Sequence, residues 1–412
     1  MSEPLFALNG RSYQRPARPV VVVCIDGGDP SYLEHGMRKG FLPTISRFVK
    51  HGFFATARAV VPTYTNPNNV SIVTGGPPSV HGIVGNYVLD RASGKEVMTN
   101  DPSFLRCETL LAAFSRRGVR TAMITGKDKL RRLLGHGMSG ICFSSERAAE
   151  CTLVENGIER VPEWLGLPPP EVYSAELSLF VLEAGIKLLQ DYPPDVMYLT
   201  LSDYVQHKHA PGTAGGDAFF RAVDDALRRL AAAGGLVAVT ADHGMNDKAT
   251  ARGEPNVIYL QDRLDDRFGP EAAKVILPII DPYIVHHGSL GSFARIYCSE
   301  HRGAEAVMTF VSSLAGIELV VDRKEACRRF ESLFELEADV VVVSDARTAI
   351  GLSPDQHDLS ALGKDRLRSH GGIAEQPVPF ILSQPLNPAY ARKATERPLR
   401  NFDIFDFAIN GT

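Results

Sequence analysis

Seven residues at five separated places in the chain are of the types that hold divalent metals: Asp26, Thr65, Asp203 with His207, Asp242 with His243, and His370. Each follows or ends an apolar run with the character of a strand, or sits in a loop rich in Gly, Asn or Pro, so one edge of a sheet could gather them. A mixed Asp/His shell suits zinc, with manganese or iron as alternatives, and a pair of such ions suits displacement at phosphorus. Asp203 and His207 are four apart in LSDYVQHKHAPG, so a single helical turn would turn both toward one ion, while His209 would face elsewhere. Asp242-His243-Gly244 ends an apolar run directly, and ADHGMND is too polar for core. In PTYTNPNNVSIVTG, Pro67 suits the first turn of a helix running through Val70 to Thr74. The Thr65 hydroxyl would then lie near the positive end of that helix, a favourable place for a phosphoryl group, and a metal would favour its nucleophilic alkoxide. Taken singly, each residue has an ordinary explanation: a turn former at Asp26 or Asp242, a helix cap at Thr65 or Asn66, a cap at Asp203, solvated or lone histidines at His207 and His370. All of these holding together in one chain is the weaker reading.

The elements that would position this set alternate strand and helix. VVVVCID (Val20 to Asp26) is a continuous β-branched run ending in Asp-Gly-Gly, as expected of a buried parallel strand feeding a functional loop. VMYLTLSD, LVAVTADHG and ADVVVVSD (Ala338 to Asp345) read the same way, with helical patterns such as ETLLAAFSRRG and AFFRAVDDALRRLAAAGG between them. Repeated β-α units with acids at the strands' carboxyl ends predict an α/β fold built on an open, doubly wound sheet with the site on that edge. After His243 the pattern changes: FARIYCSE, AEAVMTFVSSLAG, IELVVDR and EACRRFESLF read as strand, helix, strand, helix. The expected organisation is a core of residues 1–250 and 340–412 with a smaller α+β insertion, or cap, at 251–339.

Composition sets limits on partners. The 412 residues are 44% hydrophobic and 22% charged, with a net charge of -4 and no Lys/Arg-rich run, so nucleic acid is not an expected partner. The opening MSEPLFALNGRSYQRPARPV lacks the apolar stretch of a signal peptide, and no later run reaches membrane-spanning length, so no membrane partner and a cytoplasmic location are the expectations. The six cysteines are scattered without CxxC spacing and read as small core residues rather than a disulfide framework or thiolate site.

The motifs CIDGGDP, TYTNPNN, HGIVGNY, SDYVQH, ADHGM and SHGG, in this order between about Val20 and Leu382, resemble the alkaline phosphatase superfamily on its nucleotide pyrophosphatase/phosphodiesterase-like branch. The resemblance implies an alkaline phosphatase-like sheet sandwiched by helices, with one ion held by Asp26, Thr65, Asp242 and His243 and the other by Asp203, His207 and His370. It implies that Thr65 is the nucleophile and that Asn86 donates to a phosphoryl oxygen, against the plainer reading of Asn86 as a turn residue. Lys127 and Lys129, in MITGKDKL, follow a strand-like run; they are ordinary surface lysines on the plain reading and holders of a substrate carboxylate on the family reading. Tyr64 and Thr63, flanking Thr65, are expected to complete the pocket. Within the branch the likeness is greatest to enzymes that split the C–P bond of phosphonoacetate into acetate and phosphate through a phosphothreonine. The implied partner is a small anionic organophosphonate, and a homodimer is left open. A nucleotide pyrophosphatase/phosphodiesterase or a phosphomonoesterase with the same two ions is the alternative, and a metal-binding protein without turnover a third reading.

Overall fold

The computed structural model describes residues 3–91, 93–280, 288–299 and 303–412. A seven-stranded sheet runs in the order Phe53–Arg58, Pro377–Leu382, Leu236–Thr240, Val20–Cys24, Val196–Thr200, Thr121–Thr125, Ile141–Ser144. The last five strands are mutually parallel, and Pro377–Leu382 is antiparallel to both of its neighbours. The valine run at the centre explains why helices cover both faces. Side chains alternate across a strand, so Val21 and Val23 join one apolar cluster with Phe180, Val181, Phe220 and Val223, while Val20, Val22 and Cys24 join another with Val70, Ile72, Leu110 and Phe405. This is the doubly wound arrangement expected from the sequence.

Parallel strands side by side end at one edge, so the residues that follow them line up in strand order. Asp242-His243 follows Leu236–Thr240, Asp26 follows Val20–Cys24, Asp203 follows Val196–Thr200, and Lys127 follows Thr121–Thr125.

The expected strand, helix, strand, helix module is found at Phe293–Cys298, Ala304–Ser312, Ile317–Asp322 and Arg323–Phe330, with Glu300 of the FARIYCSE run outside the described residues. These strands belong to a four-stranded antiparallel sheet in the order Ala273–Ile276, Phe293–Cys298, Val340–Ser344, Ile317–Asp322. Val340–Ser344, expected as another strand of the parallel core, is therefore corrected: the smaller sheet recruits it from beyond residue 339. A continuous valine run reads the same in any strand buried on both faces. Its partners are chosen by contacts distant in sequence, here with Phe293–Cys298 on one side and Ile317–Asp322 on the other. Among the described residues no helix is long and apolar enough to cross a membrane, and the six cysteines are unpaired.

Two buried connections hold the loop of His370 between the sheets. The Ser292 N–H donates to the His370 carbonyl at 2.9 Å. Glu375, fully buried, accepts from Lys248 Nζ at 2.8 Å and Asn246 Nδ2 at 2.7 Å through Oε1, and from the Gly372 N–H at 2.9 Å through Oε2. Lys248 is equally buried. Removing one partner of such a pair strands the other charge, so Lys248→Met is expected to lower the unfolding free energy by about 3–5 kcal/mol. Urea titration measures it; a loss below about 1 kcal/mol would mean that the Glu375 charge is neutralised by other means.

Candidate active site

Six of the seven expected ligands converge in two groups. Asp26, Asp242 and His243 form one buried cluster, and Asp203, His207 and His370 a second, each offering donor atoms within 4.8 Å of one another. The rings of His243 and His370 stack at 3.6 Å and 8°, which sets the clusters side by side. Each histidine is oriented in the same way. His207 Nδ1 meets the Arg368 carbonyl at 2.7 Å, His243 Nδ1 that of Gly244 at 2.8 Å, and His370 Nδ1 that of Thr63 at 2.7 Å. A carbonyl only accepts, so Nδ1 carries the hydrogen and Nε2 is left as the ligand nitrogen.

The electrostatics call for positive charge. Burial, with Asp26 beside it, drives the Asp242 carboxyl well above the ordinary range. Burial works against the His243 imidazolium, but Asp242 and Asp26 outweigh it and hold that group at about 10. Burial, helped by His243 and His207, pushes His370 well down. Asp26 Oδ1 and His243 Nε2 are 3.2 Å apart, both buried and both without a hydrogen-bond partner. Unpartnered buried polar atoms converging on one spot are what a metal shell requires, and these oxygen and nitrogen atoms suit zinc, manganese or iron.

Thr65 is the first residue of the helix Thr65–Thr74, with Tyr64 as the N-cap, so its hydroxyl does not cap its own helix. The N–H of Asn66 donates instead to Asn86 Oδ1 at 3.0 Å, a bond that does not use the Asn86 Nδ2 donors. Lys127 and Lys129 are half-buried, not surface lysines. Lys127 Nζ lies 3.1 Å from Asp203 Oδ1; burial disfavours its charge, but Asp203 and Asp26 outweigh that and raise its pKa. Burial, aided by Lys127, lowers Lys129 to about 7. Both line a cavity of about 500 Å³ with Asn100, Arg132, Val172 and Tyr173 on its walls.

Two expected pocket residues have other tasks. Tyr64 is fully buried, its hydroxyl on the Phe293 carbonyl at 3.4 Å and its ring edge-on to His370 at 5.5 Å, so it packs behind His370 rather than lining an open pocket. Thr63 is likewise turned to the His370 loop, its hydroxyl accepting from the Gly371 N–H at 2.9 Å. Gly371, at φ +122, must be glycine, because a Cβ there would meet the Tyr64 oxygen at 2.4 Å. Sequence reasoning also passed over Asn69, Gln206 and Arg368. Gln206 Nε2 donates to the Asp26 carbonyl at 2.7 Å, and Arg368 Nε to the Gln206 carbonyl at 2.8 Å. Nothing in the local sequence pattern sets any of the three apart.

Residues 20–371 match the family model for type I phosphodiesterase / nucleotide pyrophosphatase, and the chain belongs to that family. Over 98% of both chains it is 47% identical to the phosphonoacetate hydrolase of Sinorhizobium meliloti 1021, at a TM-score of 0.92, in structures holding phosphonoacetate or phosphonoformate. A stretch of 53 residues, 12% of this chain and 74% of the other, is 49% identical to a phosphonoacetate hydrolase of Penicillium oxalicum. A Schizosaccharomyces pombe pyrophosphatase/phosphodiesterase is 31% identical over 36% of this chain, and the match spans only 31% of that protein.

The geometry yields a direct expectation: elemental analysis of purified protein should find about two divalent ions per chain, and stripping them should lower Tm reversibly, because the buried carboxylates then face one another uncompensated. A single ion, or a Tm indifferent to chelation, would contradict two sites.

Proposed function

We propose that this family member hydrolyses phosphonoacetate to acetate and phosphate, the phosphoryl group passing through Thr65. The observation that carries this reading is the half-buried pair Lys127 and Lys129, which line one cavity with Lys127 on Asp203, in a chain 47% identical to a phosphonoacetate hydrolase. Two lysines next to a phosphoryl-handling site suit a substrate with an anion at each end, whose carboxylate would favour the charged form of both.

Asp26, Thr65, Asp242 and His243 would hold one divalent ion and Asp203, His207 and His370 the other, zinc being the first expectation. When bound, such ions lower the pKa of the Thr65 hydroxyl and offset charge on the phosphoryl oxygens. Thr65, its proton released to solvent, attacks phosphorus, with Asn86 Nδ2 donating to an oxygen that gains charge. The Thr65–phosphorus bond forms as the C–P bond breaks, and the departing electron pair spreads from the methylene carbon into the carboxylate as an enolate. Lys127 and Lys129 hold that carboxylate and stabilise the enolate. The carbon takes a proton from water to give acetate, and a second water cleaves the phosphothreonine, releasing phosphate and restoring Thr65.

A nucleotide phosphodiesterase or phosphomonoesterase remains the competing reading, since the family model covers residues 20–371 and the same side chains would attack an ester. Two substitutions test the proposal. Thr65→Ala should abolish turnover while fold and metal content persist; activity within about tenfold of wild type, only ~1.4 kcal/mol, would remove the nucleophile assignment. Lys127→Ala or Lys129→Ala should depress phosphonoacetate hydrolysis by ~2–5 kcal/mol, the usual cost of losing a charged partner in a desolvated site, and change nitrophenyl phosphate hydrolysis much less. Equal losses on both substrates would assign the lysines to the phosphoryl group or to folding, and no loss on either would favour the esterase.

A further inference from the structure

Three asparagines are buried in the Thr65–Thr74 helix: Asn66, Asn68 and Asn69. Asn68 serves the turn before the helix, accepting from the Val60 N–H at 2.7 Å and donating to the Val60 and Tyr64 carbonyls. Asn69 does something different. Its Nδ2 donates to the Thr65 carbonyl and to Asp242 Oδ2, each at 3.1 Å. Its Oδ1 accepts from the Tyr198 hydroxyl at 2.7 Å and the Thr200 hydroxyl at 2.9 Å. All four hydrogen-bonding positions of the carboxamide are filled at zero exposure. The amide cannot be flipped, because the Thr65 carbonyl and the Asp242 carboxylate only accept.

We propose that Asn69 is a positioning residue: it fixes Asp242, and with it the ion shared with Asp26 and His243, relative to the Thr65 nucleophile. The inference rests on the proposed roles of Thr65 and Asp242. An asparagine is a poor interior helix residue, and this one lies against an apolar cluster containing Val70, Ile72 and Val73. A leucine would serve packing alone better. What the asparagine adds is a link between three elements: the first turn of the Thr65 helix, the end of the Leu236–Thr240 strand, and the Val196–Thr200 strand. The other oxygen, Asp242 Oδ1, accepts from the N–H groups of Gly27 and His243 at 3.2 and 3.0 Å. With Asn69 on Oδ2, the carboxylate is held from both ends, which fixes its rotation about the Cβ–Cγ bond. A ligand so restrained binds its ion without first being ordered.

The experiment compares wild type with Asn69→Ala. Stripped protein is titrated with zinc against a competing chelator, and kcat and KM are measured separately after saturating reloading. The expected result is that one of the two zinc ions binds ~10–100-fold more weakly, as for other partners that orient a metal ligand, and that kcat falls while KM changes little, because Asn69 touches no substrate. Both affinities and kcat within twofold of wild type would overturn the proposal, even with a lower Tm, since packing alone would explain that loss. If Asn69→Ala does not fold, Thr200→Val with Tyr198→Phe keeps the shape and frees the asparagine; the same readouts then apply, and unchanged zinc affinity overturns the proposal equally. Wild-type protein that binds fewer than two ions would instead refute the reading of the site on which this rests.

Discussion

Three carboxylates, Asp26, Asp203 and Asp242, are each no more than 3% exposed and share one edge of the sheet. Taking such groups out of water together costs several kcal/mol per charge unless cations answer them. Much of the surrounding structure can be understood as that answer. Lys127 lies on Asp203, His243 on Asp26 and Asp242, and the donors of Asn69, Gly27 and the His243 backbone occupy Asp242. The upward shifts of the Asp242 carboxyl and the His243 imidazole express the same demand for positive charge.

The second constraint is orientation. Imidazole binds metal through a lone pair only if its other nitrogen carries the hydrogen, and each of the three histidines finds a backbone carbonyl for that purpose. For His370 the carbonyl belongs to Thr63, so the segment that presents Thr65 also orients the candidate ligand most distant from it in the sequence. Tyr64, Gly371, Ser292 and Glu375 complete this clamp, and Ser292 brings in the smaller sheet. The smaller sheet thus braces the site from behind, through contacts with the His370 loop.

What was legible in the sequence follows from this arrangement. Acids at the ends of β-branched runs announce a sheet edge, and the four-residue spacing of Asp203 and His207 announces a helical turn; both signals are local. Tyr64 misled because a tyrosine beside a nucleophile resembles a pocket wall, whereas its burial depends on Gly371, 307 residues away in the chain, as distant as the Thr63–His370 bond. Val340–Ser344 misled because a valine strand carries no mark of the sheet it will join. Asn69 stayed invisible because a buried amide is recognised only by the four groups it satisfies, and these come from three elements. Local pattern reveals where chemistry-bearing side chains emerge; what restrains them is set by pairing across the chain.

The strand order has an evolutionary consequence. The side chains that would grip phosphorus come from the loops after Leu236–Thr240, Val20–Cys24 and Val196–Thr200, together with Thr65 and His370. Those proposed to grip the departing fragment come from one neighbouring segment, the loop and short helix Asp128–Leu134 after Thr121–Thr125. On that reading, bond-breaking machinery and choice of leaving group are encoded in separable stretches of sequence. A lineage could exchange one short segment and acquire a new substrate, provided that the contact of Lys127 with Asp203, which ties that segment to the metal shell, is kept.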